Sequence, residues 1–196
     1  MRIQDGKGNG YEAKVDTYNK LHTRAIAVSA ELDGALLYNQ FGINTTAITL
    51  TSANESALLY AYWADPAEYM ILSRQVFSFG PSTGGSGQVR IRIVRNPTGG
   101  TLISAGTAIT PVNNNFASSL TANGTWKKGA EGSTVTGGLD MIDVGANSGS
   151  ILVVSNIDWV VPNGSSYVVA ITPPTGNTSM KVYLHDKFYS INPDNY

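Results

Sequence analysis

Cysteine is absent from all 196 residues. Disulfide frameworks, cysteine-ligated zinc, iron–sulfur clusters and thiol nucleophiles are therefore closed to this chain. Charge is scarce as well: 14% of residues are Asp, Glu, Lys or Arg, against about 25% in typical soluble proteins. The 13 basic and 14 acidic residues leave a formal net charge of −1, so the chain lacks the broad positive field of an electrostatic nucleic-acid binder. Two histidines, His22 and His185, cannot make a three-histidine zinc site. No run of 18 apolar residues occurs, and no apolar run marks residues 1–24, so we expect neither a membrane span nor a leader.

Gly, Ser, Thr and Asn instead make up 73 of the 196 residues. Hydroxyls and amides in place of Lys and Glu suit short strands, tight turns and subunits that sit permanently against neighbours. Five Asn-x-Ser/Thr sequons, at Asn44, Asn54, Asn123, Asn163 and Asn177, read as turn residues and not as glycan sites. At this length a single core buries roughly 70% of the unfolded chain's surface.

Residues 1–24 stand apart. Arg2, Lys7, Lys14, Lys20 and Arg24 outweigh Asp5, Glu12 and Asp16, and the segment has too few apolar residues to fold alone. It reads as an extended arm with a reach of ~80 Å. Residues 25–196 form the second part, where the dominant period is two. In Gln88–Arg95, Val89, Ile91 and Ile93 point to one face, Arg90 and Arg92 to the other. Further β-type runs occupy 46–51, 57–63, 69–79, 107–112, 151–155, 167–172 and 180–189, separated by Pro/Gly/Asn clusters. A short helix fits residues 27–37. The Asn-, Gly- and Thr-rich stretch 113–149 reads as long loops. The pattern predicts an all-β fold, an antiparallel β-sandwich or jelly roll, with an extended N-terminal arm and long loops.

Motifs for chemistry are weak. Asp5-Gly6-Lys7-Gly8-Asn9-Gly10 partly matches a calcium loop, but Lys7 stands where an oxygen ligand belongs. Gly80–Ser86 has phosphate-loop glycine spacing without the Lys-Ser/Thr that follows it, and reads as a hairpin loop. His185 and Asp186 are strand neighbours and point to opposite faces. No Gly-x-Ser-x-Gly elbow is present. Asp140 and Asp143 could supply a carboxylate pair for glycoside hydrolysis. No Lys or Arg lies between Gly129 and Met180, so Glu131, Asp140, Asp143 and Asp158 could equally complement the basic arm of a neighbouring subunit. Tyr60, Tyr62, Trp63, Trp126 and Trp159 could form a sugar platform, though Tyr60 and Tyr62 face away from Trp63. Arg90, Arg92 and Arg95 make a basic stripe suited to a protein–protein salt contact. No catalytic, cofactor-binding or metal-binding residues are assigned.

Four patches carry a resemblance. Asp5–Gly10 followed by Ala13-Lys14-Val15-Asp16, Arg95–Thr101, Lys128–Gly132 and Pro173–Met180 resemble small virion proteins of tailed bacteriophages. The resemblance implies a structural subunit, commonly a homotrimer, most simply a capsid decoration (cement) protein on the head's exterior. It implies the major capsid protein as partner, assembly in the host cytoplasm, and no enzyme activity, cofactor, nucleic acid or membrane. Arg2, Lys7, Tyr11, Lys14, Lys20, Arg24 and Trp126 are the candidate capsid or subunit contacts. A neck, tail or head-fibre component that binds a carbohydrate receptor is the alternative.

Overall fold

The structure, a computed structural model, describes residues 39–192, except the side chains of 155–158, together with the backbone of two short N-terminal strands. Those two, β1 (Arg2–Gln4) and β2 (Glu12–Lys14), pair antiparallel with Arg2 opposite Lys14. The chain thus doubles back within its first 14 residues, which shortens the reach that a fully stretched arm would have. The helix expected over 27–37, the candidate calcium loop and the boundary after residue 24 fall outside the described residues. By compactness the chain divides into Met1–Ala30 and Glu31–Tyr196.

The larger unit is an antiparallel β-sandwich. Its strands are β3 (Gln40–Asn44), β4 (Ile48–Leu50), β5 (Ser56–Trp63), β6 (Tyr69–Phe79), β7 (Gln88–Arg95), β8 (Thr107–Ile109), β9 (Val112–Asn113), β10 (Gly124–Lys128), β11 (Leu139–Asn147), β12 (Ile151–Val161), β13 (Ser166–Thr172) and β14 (Met180–Ile191). One five-residue helix, α1 (Thr101–Ala105), lies between β7 and β8. Sheet I has the order β11-β7-β13-β5-β10-β8; sheet II has the order β12-β6-β14-β3-β9, with β4 also on β14.

Alternation sets which side chains meet between the sheets. Val89, Ile91 and Ile93 of β7 face inward against Phe77, Leu184 and Phe188 of sheet II, in one core that also holds Trp63, Trp126 and Leu72. Burying each such large apolar side chain contributes about 1.5–3 kcal/mol. Trp126 stacks on Phe188 at 5.6 Å and meets Trp63 edge-on at 6.3 Å. The outward face of sheet I carries a smaller cluster of Ala57, Val168, Ala170 and Leu102. Helix α1 plugs it with Leu102 and is laced to the segment after β10: Leu102 N–H donates to Thr134 O, and Thr101 N–H to Thr134 Oγ1.

Two expectations need correction. Residues 113–149 are not loops alone: β10 pairs with β5 and β8, and β11 pairs with β7 along eight residues. Gly80–Ser86 is not a hairpin loop either. It arches from β6 in sheet II to β7 in sheet I. A second arch, Pro173–Ser179, runs beside it through the bridges Thr83↔Ser179 and Ser86↔Thr175. Asn177 ties both arches to the sandwich: its side chain donates to Leu50 O and Ser52 O and accepts from Ser82 Oγ at 2.7 Å. This sequon Asn is 5% exposed, so its amide is a structural group.

Candidate functional site

The expected charge chemistry is spent within the chain. On the outward face of β7, Arg90 makes a two-pronged contact with Asp143 (Nε–Oδ1 2.7 Å). Arg92 holds Glu55 through two nitrogens and reaches Asp140 at 2.9 Å. The register explains the geometry: β11 lies antiparallel on β7 with Asp143 opposite Arg92, so carboxylates and guanidinia share one face. The Arg90 contact holds the Asp143 carboxyl below its usual range. Asp140 and Asp143 are therefore salt-bridge partners of their own sheet, where the sequence had suggested a hydrolytic pair or a complement to a neighbour's arm. Arg90 and Arg92 are likewise neutralised, which leaves Arg95 of the basic stripe exposed and without an ion pair among the described residues. Glu131 serves locally, accepting from the Thr51 and Ser52 amides at 2.6 and 2.7 Å and from Thr51 Oγ1, and these bonds lower its pKa.

The aromatic residues divide as well. Trp126, an expected contact residue, is 3% exposed inside the core; it holds the two sheets together and offers no outer surface. Trp63 is buried beside it, while Tyr60 and Tyr62 are half-buried on the opposite face of β5. Of the other candidate contacts, Arg2 and Lys14 lie in β1 and β2, described by backbone alone, and Lys7, Tyr11, Lys20 and Arg24 lie outside the described residues. His185 and Asp186 face opposite ways, as strand neighbours must. His185 is half-buried on the outer face of β14, its pKa lowered first by desolvation and then by Arg74. Asp186 is 1% exposed within the core.

Asp186 is the one buried carboxyl that no cation answers among the described residues. Tyr167 Oη donates to its Oδ2 at 2.5 Å, and Gln75 Nε2 donates to the same oxygen at 3.3 Å. Desolvation pushes its pKa up to about 6 against those two hydrogen bonds. The Gln75 Oε1 beside it is buried without a partner. The trio sits between apolar walls, and no group of three or more His, Asp or Glu that could hold a metal occurs among the described residues. No described helix is long and apolar enough to cross a membrane.

The exposed apolar groups have no signature in the sequence, and they are numerous. Leu139, Met141 and Val144 of β11, and Ile151, Val153 and Val160 of β12, are between 42% and 71% exposed. All lie along the flank where both sheets end in an outermost strand. At the opposite flank Val112 and Leu120 are exposed and Phe116 is completely so. Between Met141, Trp159, Val160, Pro162 and Tyr167 is a cavity of 380 Å³ open to the first flank, with Arg95 on its wall. A second apolar cavity of 310 Å³ opens farther along, between Ile91, Ile142, Val144, Leu152 and Val154. Fold and surface together define an antiparallel β-sandwich in which Arg90, Arg92, Asp140 and Asp143 pair within the chain and both flanks expose large apolar side chains. Comparison with protein-family models and with curated proteins finds no match.

Proposed function

We propose that this chain is a structural subunit of a tailed-phage virion, a decoration protein that binds the outside of the head and stabilises it through protein–protein contacts between trimers and the major capsid protein. The sequence resemblance supplies the phage setting. The observation that carries the adhesive role is the surface just described: the charged side chains of the β7–β11 face are consumed in internal pairs, while large apolar side chains stand in solvent on both flanks. Contiguous exposed apolar surface marks sites of association. A subunit that binds only the assembled, expanded shell stabilises it by mass action, and a multivalent oligomer multiplies weak single contacts. This role calls for no catalysis, cofactor, nucleic acid or membrane.

Two measurements test it. Purified heads contain the chain in hundreds of copies on their exterior; absence from heads ends the proposal, and a copy number near a dozen on neck or tail favours the receptor-binding alternative. A chain lacking residues 1–23 binds expanded capsids more weakly than the full chain, and undiminished binding removes the arm from the mechanism.

A further inference from the structure

We infer that copies of this chain associate head to tail, the Phe116 side chain of one copy entering the Met141–Trp159–Tyr167 cavity of the next, and that this contact closes a ring. It deepens the homo-oligomeric part of the proposal above by naming the surfaces through which copies meet.

Phe116 is fully exposed, yet its loop is held from both sides. Asn115 N–H donates to Asn113 Oδ1 at 2.8 Å, Ala117 N–H to Asn115 Oδ1 at 3.0 Å and Leu120 N–H to Ser118 Oγ at 3.1 Å. The Asn113 side chain donates back to Ser118 Oγ. Asn114 anchors the loop to β3 twice, its N–H on Gln40 O and its Nδ2 on Gln40 Oε1. A large aromatic ring on an ordered loop loses little entropy on docking, the property of an interface anchor. The cavity is its counterpart. At 380 Å³, walled by Met141, Trp159, Val160 and Tyr167, it exceeds the ~150 Å³ apolar cavity that takes up benzene.

Position decides the mode of association. The loop follows β9 and the cavity abuts β12, the two outermost strands of sheet II. Four strand spacings, ~19 Å, separate these edges. Joined edge to edge through one ring and one cavity, a pair leaves the other ring and the other cavity unused, and further copies add. Such heterologous contacts give closed rings or open filaments. The level of the two features favours closure. Val161 beside the cavity pairs with Met70, Met70 with Ser190, Ser190 bonds Asn39, and Asn114 of the loop bonds Gln40. Ring and cavity thus stand on nearly one row across the sheet, so copies related by rotation about an axis along the strands close without a rise. Charge agrees: Arg95 stands at the cavity, and Asp65 and Glu68 line the depression beside Leu120 next to the loop.

The test is the oligomeric mass of the purified chain in light scattering, with no capsid present. The wild type forms a closed oligomer. Phe116→Asp and Val160→Arg each weaken association at least roughly thirtyfold, the scale of a lost anchor, and run as monomers. Mixing the two restores only a one-to-one dimer, because one variant keeps its cavity and the other its ring. Both positions are exposed, so the variants melt as the wild type does. Independently, Phe116→Cys with Ser165→Cys, in a chain without other thiols, oxidises to a covalent ring, and neither single variant does. A monomeric wild type, a Phe116→Asp chain that keeps the wild-type mass, or a mixture that stays monomeric overturns the inference. Rings that fail to bind heads would sink the shell role and leave the contact standing; monomers found bound to heads would do the reverse.

Discussion

Asp186 makes the folded chain sensitive to pH. Its carboxyl takes up a proton near pH 6 when folded, above the ordinary carboxylate value, so the folded state binds more protons than the unfolded state across the interval between. The sign follows from linkage: stability is greatest below the unfolded pKa and falls as pH rises through about 6. A shift of this size corresponds to at most about 3 kcal/mol. Asp186→Asn therefore raises the denaturation midpoint at pH 7 to 8 and flattens the profile between pH 4 and 6, as melting across pH would record. An amide there also offers a donor to the unpartnered Gln75 Oε1. Asp186→Ala, which strands the Tyr167 hydroxyl and Gln75, destabilises at every pH by about 1–3 kcal/mol. Trp126 belongs to the same scale. Its truncation to Ala empties the centre of the Trp63–Phe188 stack and costs about 3–5 kcal/mol in denaturant titration.

Among the elements, legibility follows burial. Strands β6 and β7 are legible to their observed ends, and β5, β13 and β14 within two residues, because their runs of Val, Ile, Leu and aromatic residues reflect a buried face. β11 escapes because it is an outermost strand: Asp140, Asp143 and Gly145 interrupt its apolar residues, and the bulge between Asp140 and Ile142 shifts the period by one. β10 has a single core residue, Trp126, among Gly, Thr and Lys. β3 hides behind Gly42, which leaves room for the His185 ring 3.3 Å from where a Cβ would stand. Turn composition announces a reversal but not which sheet receives the chain, so an arch reads as a hairpin. Within the candidate surfaces, the Arg stripe and Asp140/Asp143 are visible as residues, but their mutual neutralisation depends on the β7–β11 register. Helix α1 offers a test at this scale. Gly100 has a φ of 119°, and a Cβ there would lie 2.3 Å from Thr134 O. Gly100→Ala forces α1 off the outer cluster and costs about 1–3 kcal/mol, measurable as a lowered melting midpoint.

At the largest scale, the described sandwich has two unequal flanks. One presents a held aromatic ring, the other apolar strands and a cavity. Covering such groups relieves the cost of exposing them, which is what the proposed association would do. The Arg90–Asp143 and Arg92–Asp140 contacts lie on the solvent-facing side of sheet I, where ion pairs add little to stability. Replacing both aspartates by Asn should leave folding and oligomeric mass near wild type; loss of the oligomer would mean that this face is the contact.

The most direct measurement is a three-dimensional image of the intact particle that locates and counts this chain. The expected result is hundreds of copies outside the shell, in closed groups whose neighbours meet flank to flank. Particles with no copy of the chain, or copies held singly with both apolar flanks bare, would contradict it.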